Sequence, residues 1–129
     1  MSDSSAPQEN ALLDHFLNPR NVGDVPEADG VGEVGAVSCG DVIRISIKVE
    51  AGRIVDARFR AYGCGTAIAT ASAATELIKG RTVEEARQFS NGELSRALGG
   101  IPAAKAHCPV LAEEAVKAAV ADYLKKRAT

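Results

Sequence analysis

Hydrophobic and polar residues alternate most regularly in two neighbouring segments, and this pattern predicts a β-hairpin. In DVIRISIKV, every second residue from Ile43 to Val49 is apolar and the residues between them are polar, which is the period of a strand. Gly52 in the following EAGR is free to take the positive φ of a tight turn. The return segment IVDARFRAY predicts a second strand with an apolar face formed by Val55, Ala57, Phe59 and Ala61. One apolar and one polar face indicate an antiparallel sheet that is covered on a single side.

Two shorter segments precede this hairpin. Apolar residues at helical spacing predict a helix from Gln8 to Leu17, which ends before Pro19. His15 lies on this helix, where we expect a partly exposed surface side chain. Residues 1–7 are small and polar and predict a disordered tail. The glycine-bounded segment GEVGAVSCGD, residues 32–41, predicts an edge strand.

The pattern changes to helical after Gly65. TAIATASAATELIKG predicts a helix of small residues that ends at Gly80, and Thr82 with Glu85 predicts a capping box for the next helix. A short helix is expected at residues 93–98. The last helix is predicted to start at Pro109, with an apolar stripe formed by Leu111, Val116, Ala119, Val120 and Tyr123. Strands followed by helices indicate one α+β domain over residues 8–129.

Composition narrows the class of protein. The 129 residues are 46% hydrophobic and 25% charged, with a formal net charge of −2. Basic and acidic residues are interleaved, which argues against nucleic acid or an anionic membrane as a partner. The sequence shows neither a signal peptide nor a membrane span, so we expect a cytoplasmic protein. Three cysteines, an odd number, favour free thiols or metal ligands over a disulfide framework.

The three cysteines all lie where one predicted element meets the next. Cys39 stands in SCGD, Cys64 in YGCG and Cys108 in AHCP. A single cysteine is often only a small buried hydrophobe, but three junction cysteines favour a shared site. Cys64 and Cys108 precede helices, where the helix dipole favours thiolate. With Asp41 or His107 as a fourth donor, the set suits a tetrahedral metal or a cluster.

His107 and Cys108 also allow a different hypothesis, a cysteine-nucleophile transferase. Neighbouring residues are not expected to point at each other, and the partners of a dyad normally come from separate segments. A zinc protein that uses the same cysteine, aspartate and histidine donors is a further alternative.

The chain resembles the IscU/NifU family of iron–sulfur cluster assembly scaffolds. The resemblance is carried by SCGD, by YGCG followed by a small-residue helix, and by HC before the last helix. It implies a three-stranded antiparallel sheet with helices packed on one face. It also implies a transient 2Fe–2S cluster, bound by Cys39, Cys64 and Cys108 and completed by Asp41 or His107. Zinc is an alternative occupant of the isolated protein.

The resemblance further implies partners. A cysteine desulfurase of the IscS/NifS type would supply sulfur as a persulfide, with Cys108 as the acceptor, and acceptor apoproteins would receive the cluster. The family's Hsp70-type chaperone site corresponds to IPAAK, which keeps Pro102 and Lys105 but lacks the second proline and the valine. This departure counts against a chaperone partner. Lys105 is expected to contact a partner protein.

Overall fold

The computed structural model describes residues 6–36 and 40–128, and its architecture is the predicted α+β fold. Three antiparallel strands pair in the order β1-β2-β3. In chain order the elements are α1 (Ala6–Leu17), β1 (Gly30–Ala36), β2 (Asp41–Glu50), β3 (Arg53–Tyr62), α2 (Gly65–Ile78), α3 (Val83–Arg87), α4 (Asn91–Ala97), a 3-10 turn (Ala103–Lys105) and α5 (His107–Ala128). Helix α1 begins two residues before the predicted Gln8, and residues 1–5 of the predicted tail lie outside the described ranges.

The central strand β2 supplies the middle of the core. Ile43, Ile45 and Ile47 have no solvent exposure and face the helical layer, as their alternation predicts. Helix α5 packs against β1 and β2, while α2 packs against β3 and β2. The prediction that helices cover one face of the sheet is therefore confirmed.

Strand β3 departs from the predicted pattern at its start. The pairing with β2 is irregular beside Lys48 and Val49, where Ile54 rather than Val55 stands opposite Val49. This bulge rotates the first residues of the strand, so Ile54 is buried and Val55 is 45% exposed. The assignment of Val55 to the buried face was wrong, because alternation alone does not reveal an extra residue.

The polar face of the sheet is crossed by the connection between α1 and β1. The backbone N–H of Val25 donates to the Ser46 hydroxyl at 2.9 Å, and both residues are buried. Asp24 accepts hydrogen bonds from Arg44 and Arg60, at 3.2 and 2.7 Å. The connection thus shields part of the face that alternation indicated to be polar.

The helices after the sheet follow most of their predicted signals. Gly80 follows α2 with a φ of 89°, and Thr82 with Glu85 forms the predicted capping box. Helix α4 starts at Asn91, earlier than the predicted residue 93, because Ser90 accepts from the Glu93 backbone N–H.

Helix α5 lies unusually close to strand β1. An added Cβ at Gly30 or Gly32 would overlap backbone atoms of α5 at Ala115 and Ala119. Asp122 fixes the contact by accepting a hydrogen bond from the Val31 backbone N–H at 2.9 Å. This close packing determines where the first turn of α5 stands relative to the sheet.

His15 is not the surface residue that we expected. It is only 8% exposed, and its Nδ1 lies 2.7 Å from the Ser72 hydroxyl. That hydroxyl accepts from the Arg20 backbone N–H at 2.9 Å, which leaves its own proton for Nδ1. The arrangement assigns the imidazole proton to Nε2, 3.4 Å from the Glu76 carboxylate. His15 therefore links α1 to α2.

Within the part of the chain described, no helix combines the length and apolar character needed to cross a lipid bilayer.

Candidate functional site

Four of the predicted donors come together at one edge of the sheet. Asp41 is the first residue of β2, Cys64 is the N-cap of α2, and His107 with Cys108 opens α5. Strand pairing places Val42 opposite Tyr62, which brings the start of β2 beside the β3–α2 junction. Cys39 lies outside the described residues, so its place in the site stays a prediction.

The Asp41 carboxylate lies equally close to the two thiols. Its Oδ2 lies 3.9 Å from the sulfur of Cys64 and 3.9 Å from that of Cys108, and the two sulfurs are 3.8 Å apart. The same oxygen is 2.6 Å from the Nε2 of His107. Asp41 thus contacts each of the other three described donors, as does Cys108.

Gly63 makes room for this carboxylate. It has a φ of 136°, and a Cβ at this position would overlap the Oδ1 of Asp41. That oxygen accepts the backbone N–H of Cys64 at 3.1 Å. The glycine before Cys64 is therefore needed both for its backbone conformation and for the close approach of Asp41.

Asp41 is ionised despite its burial. It is 3% exposed, and burial alone raises its pKa. Hydrogen bonds to the His107 side chain and the Cys64 backbone outweigh that effect and hold the pKa of Asp41 below its usual value. The site consequently contains a buried carboxylate with a hydrogen-bonded imidazole.

Cys108 differs from the prediction of a thiolate at a helix start. It has no solvent exposure, and burial, followed by the hydrogen bond to Cys64 and the nearby Asp41, raises the pKa of Cys108 to about 12. In the metal-free chain this residue is a thiol. Desolvation raises the pKa of Cys108 by more than the helix dipole, on which the prediction rested, lowers it.

The expectation that His107 and Cys108 point away from each other was also wrong. The first turn of α5 places the His107 Nε2 3.6 Å from the Cys108 sulfur. The imidazole nevertheless makes its shorter contact with Asp41, and the sulfur is closed to solvent. As long as the sulfur stays buried, a thiol with a raised pKa is poorly suited to act as a nucleophile on an external substrate.

A cleft of about 330 Å³ opens next to Cys64. Helix α1 contributes Leu13 and Phe16 to its wall, and Lys105 lies on the other side. The Phe16 ring packs on Gly65, where an added Cβ would be 2.7 Å from a ring carbon. The positive charge of Lys105 acts weakly to lower the pKa values of Asp41 and Cys108. The predicted partner contact of Lys105 stays a prediction.

The α1 side of this cleft was missed from the sequence. Leu13 and Phe16 are 53% and 45% exposed, and their spacing was used only to predict the helix. The available signal was the width of the apolar surface of α1, since adjacent pairs at residues 12–13 and 16–17 exceed what one neighbour covers.

The donor set suits a transition metal. The ligand atoms of Asp41, His107 and Cys108 all lie within 4.8 Å of one another, and Cys64 adds a second sulfur. Thiolate and imidazole ligands bind zinc and iron, while a carboxylate is a harder ligand. Chemically, the arrangement is a mixed sulfur, nitrogen and oxygen site beside an open cleft.

Comparisons with known proteins agree with this geometry. A family described as NifU-like N-terminal domain matches residues 8–129. The iron-sulfur cluster assembly scaffold protein IscU of Azotobacter vinelandii is 53% identical over 120 residues, covering 90% of this chain and 93% of that protein. The iron-sulfur cluster assembly enzyme IscU of Drosophila melanogaster is 48% identical, covering 90% of this chain and 77% of that protein.

A solved structure shares the fold. The N-terminal part of a nitrogen-fixing NifU-like protein from Brucella abortus superposes with a TM-score of 0.69, over 95% of this chain and 99% of that one, at 20% sequence identity. At this identity the likeness concerns the fold alone.

Proposed function

The chain belongs to the family of NifU-like N-terminal domains, and from that membership we propose that it is a scaffold for iron–sulfur cluster assembly. Its relatives from Azotobacter and Drosophila carry names that describe cluster assembly. The cluster is then the cargo of the protein, since it is built on the scaffold, held there and passed on.

One observation carries this proposal. The sulfurs of Cys64 and Cys108 lie 3.8 Å apart, and one carboxylate oxygen of Asp41 lies 3.9 Å from each. Thiolates are the preferred ligands of iron–sulfur clusters, so two of them at this separation support a transient 2Fe–2S cluster. Cys39 is proposed as the third thiolate ligand, because it precedes Asp41 by two residues.

Either Asp41 or His107 is proposed to complete the ligand shell. The two side chains are hydrogen-bonded to each other at 2.6 Å, so a metal that binds the His107 Nε2 must replace that contact. A carboxylate is a hard ligand and a weaker match for an iron–sulfide unit than a thiolate. This mixed ligand set favours a cluster that is released again.

Sulfur is proposed to arrive as a persulfide from a cysteine desulfurase, with Cys108 as acceptor. Because Cys108 is buried, the segment before α5 must move to admit a donor. Gly99 and Gly100, with φ values of 79° and 102°, give that segment conformational freedom. The finished cluster is proposed to pass to acceptor apoproteins.

Anaerobic reconstitution with iron, cysteine and a desulfurase tests the proposal. We expect the parent protein to develop visible charge-transfer absorption, because sulfide and thiolates bind the iron. Single replacement of Cys39, Cys64 or Cys108 by serine is expected to abolish the stable cluster, since serine offers no soft ligand. Thermal unfolding of each variant checks that its fold is retained. Unchanged cluster yield in one variant would remove that residue from the site.

A second candidate function is zinc binding with the same donors. The cluster of Asp41, His107 and Cys108 ligand atoms within 4.8 Å favours it, because a single ion fits that spacing. A colourless protein that retains zinc through reconstitution would support this function and contradict the scaffold.

A further inference from the structure

Two thiols of the site lie nearly within reach of a disulfide bond. The sulfurs of Cys64 and Cys108 are 3.8 Å apart, and a disulfide requires about 2.05 Å. Cys64 is the N-cap of α2 and Cys108 lies in the first turn of α5. Joining them therefore requires the two sulfurs to approach each other by about 1.8 Å (3.8 − 2.05).

Sulfur from a persulfide and sulfur in a cluster differ in oxidation state. The outer sulfur of a persulfide is sulfane sulfur, whereas cluster sulfur is sulfide, so two electrons are needed for each atom. We propose that Cys64 and Cys108 act as a dithiol that reduces a sulfane sulfur carried by one of them to sulfide. This inference rests on the proposed function, because it assumes that a persulfide forms at the site.

The step balances without an external reductant. When Cys108 carries the sulfane sulfur, the Cys64 sulfur attacks the inner sulfur of the persulfide. A Cys64–Cys108 bond forms, the bond to the outer sulfur breaks, and that sulfur leaves with the electron pair as hydrosulfide. With the proton of the Cys64 thiol it becomes hydrogen sulfide. The net reaction is the same when Cys64 carries the sulfur.

The surroundings favour attack on the inner sulfur. Attack on the outer sulfur would expel Cys108 as a thiolate in a place without solvent, 3.9 Å from the Asp41 carboxylate. Attack on the inner sulfur instead expels hydrosulfide, and the cleft lined by Cys64, whose sulfur is 3.8 Å from that of Cys108, offers it a way out. The stability of the leaving group and the accessibility of the attacked sulfur both determine the rate of such exchange reactions. Here both factors favour attack on the inner sulfur.

Asp41 provides the route for the proton. Its Oδ2 lies 3.9 Å from both sulfurs and 2.6 Å from the His107 Nε2. The carboxylate oxygen can therefore accept a hydrogen bond from either thiol while the proton passes to hydrosulfide. Return to the dithiol then requires a reductant of the dithiol class.

The test uses the reduced, metal-free full chain without oxygen and without iron. A small persulfide, glutathione persulfide, is added in equimolar amount, and the protein is desalted at once. Released sulfide and the disulfide-linked peptides are measured by mass spectrometry under non-reducing conditions. We expect about one sulfide per chain and a peptide pair joined through Cys64 and Cys108.

Matched variants distinguish the role of Cys64 and Cys108 from that of Cys39, the third thiol. Cys39→Ser is expected to give the same linked peptides as the parent. Cys64→Ser is expected to retain a persulfide at Cys108 and to release at least tenfold less sulfide. A persulfide that persists in the parent chain, or a link from Cys39 to Cys108 in its place, would overturn the inference.

A separate arm distinguishes this inference from the proposed function. The chain is given ferrous iron and inorganic sulfide, which bypass persulfide reduction. A chain that builds a coloured cluster in this arm but leaves its persulfide unreduced contradicts only the dithiol step. A chain that releases sulfide but never forms a cluster contradicts the scaffold and supports the dithiol step.

Discussion

Asp41 contacts both thiols and the imidazole, so its removal affects the lifetime of a bound cluster. We predict that Asp41→Ala assembles a cluster that survives longer in air and transfers more slowly to an apo-ferredoxin. Without the carboxylate, the site loses its hard ligand and a point of entry for an acceptor thiolate. Absorption decay in air and the rate of ferredoxin formation measure the two effects.

Asp41→Asn is the matched control for the lost Cys64 hydrogen bond. Its amide oxygen keeps an acceptor near the Cys64 backbone N–H but carries no charge, so we expect the same longer lifetime as with alanine. Decay and transfer at the parent rate in both variants would make Asp41 a structural residue. Complete loss of the cluster would make it an essential ligand.

Gly63 is a second residue on which the site depends. We predict that Gly63→Ala lowers the free energy of unfolding by about 2–3 kcal/mol, because the methyl group meets Asp41 and the φ of 136° is strained for alanine. Denaturant unfolding measures the loss, and zinc titration is expected to show weaker binding.

Gly52→Ala controls for backbone strain alone. Gly52 has a φ of 76° and open space around an added Cβ, so we expect a cost of about 1–2 kcal/mol without a change in zinc affinity. Equal zinc affinity in the two variants would refute the role assigned to Gly63.

Helices α1 and α2 are joined through a buried histidine, which makes their contact sensitive to pH. Burial, followed by the positive charge of Arg20, lowers the pKa of His15 from its usual 6.5, with smaller opposing effects from Glu76 and Asp14. The unfolded chain takes up a proton near pH 6.5, whereas the folded chain resists it to lower pH. The contribution of His15 to the free energy of unfolding is therefore fully present above about pH 6.5, and it falls as the pH drops below that value.

We predict that His15→Asn flattens this pH dependence between about pH 7 and 5. The asparagine amide can replace Nδ1 toward Ser72 but does not titrate. Denaturant unfolding of both proteins across that range isolates the histidine, since all other groups are shared. Parallel curves for the two proteins would contradict a lowered pKa for His15.

Elements were predictable where burial depends on neighbours along the chain. The alternation of β2 and the capping box of α3 are local, and both were predicted correctly. The bulge at Val55 depends on register with another strand, and the burial of His15 depends on Ser72, 57 residues away. Such long-range partners leave no periodic mark in the sequence.

The candidate site was predictable in its membership but not in its geometry. Junction cysteines with Asp41 and His107 indicated a shared set of donors. The close approach of Asp41 to both sulfurs depends on Gly63, and the thiol form of Cys108 follows from its complete burial. Both facts require the packed molecule, because desolvation depends on every element around the sulfur.

The whole molecule brings together donors from β2, the β3–α2 junction and α5. Zinc that binds only this assembled set stabilises the folded chain. We predict a stabilisation of about 2.7 kcal/mol at a free zinc concentration one hundred times the Kd. Thermal unfolding with and without zinc measures the shift, and Cys64→Ser is expected to show little of it. An equal shift in that variant would place the zinc elsewhere.

Under the proposed scaffold function, the origin of the donors in three distant segments also makes cargo loading a form of quality control. A misfolded copy keeps its cysteines but separates them, so it offers no shared site to iron and sulfur. A distant defect, such as a side chain in place of Gly32 under α5, would therefore reduce metal loading by lowering the fraction of chains that are folded. A cell that contains such a variant would lose loaded scaffold in proportion to the folded fraction, although every ligand is unaltered.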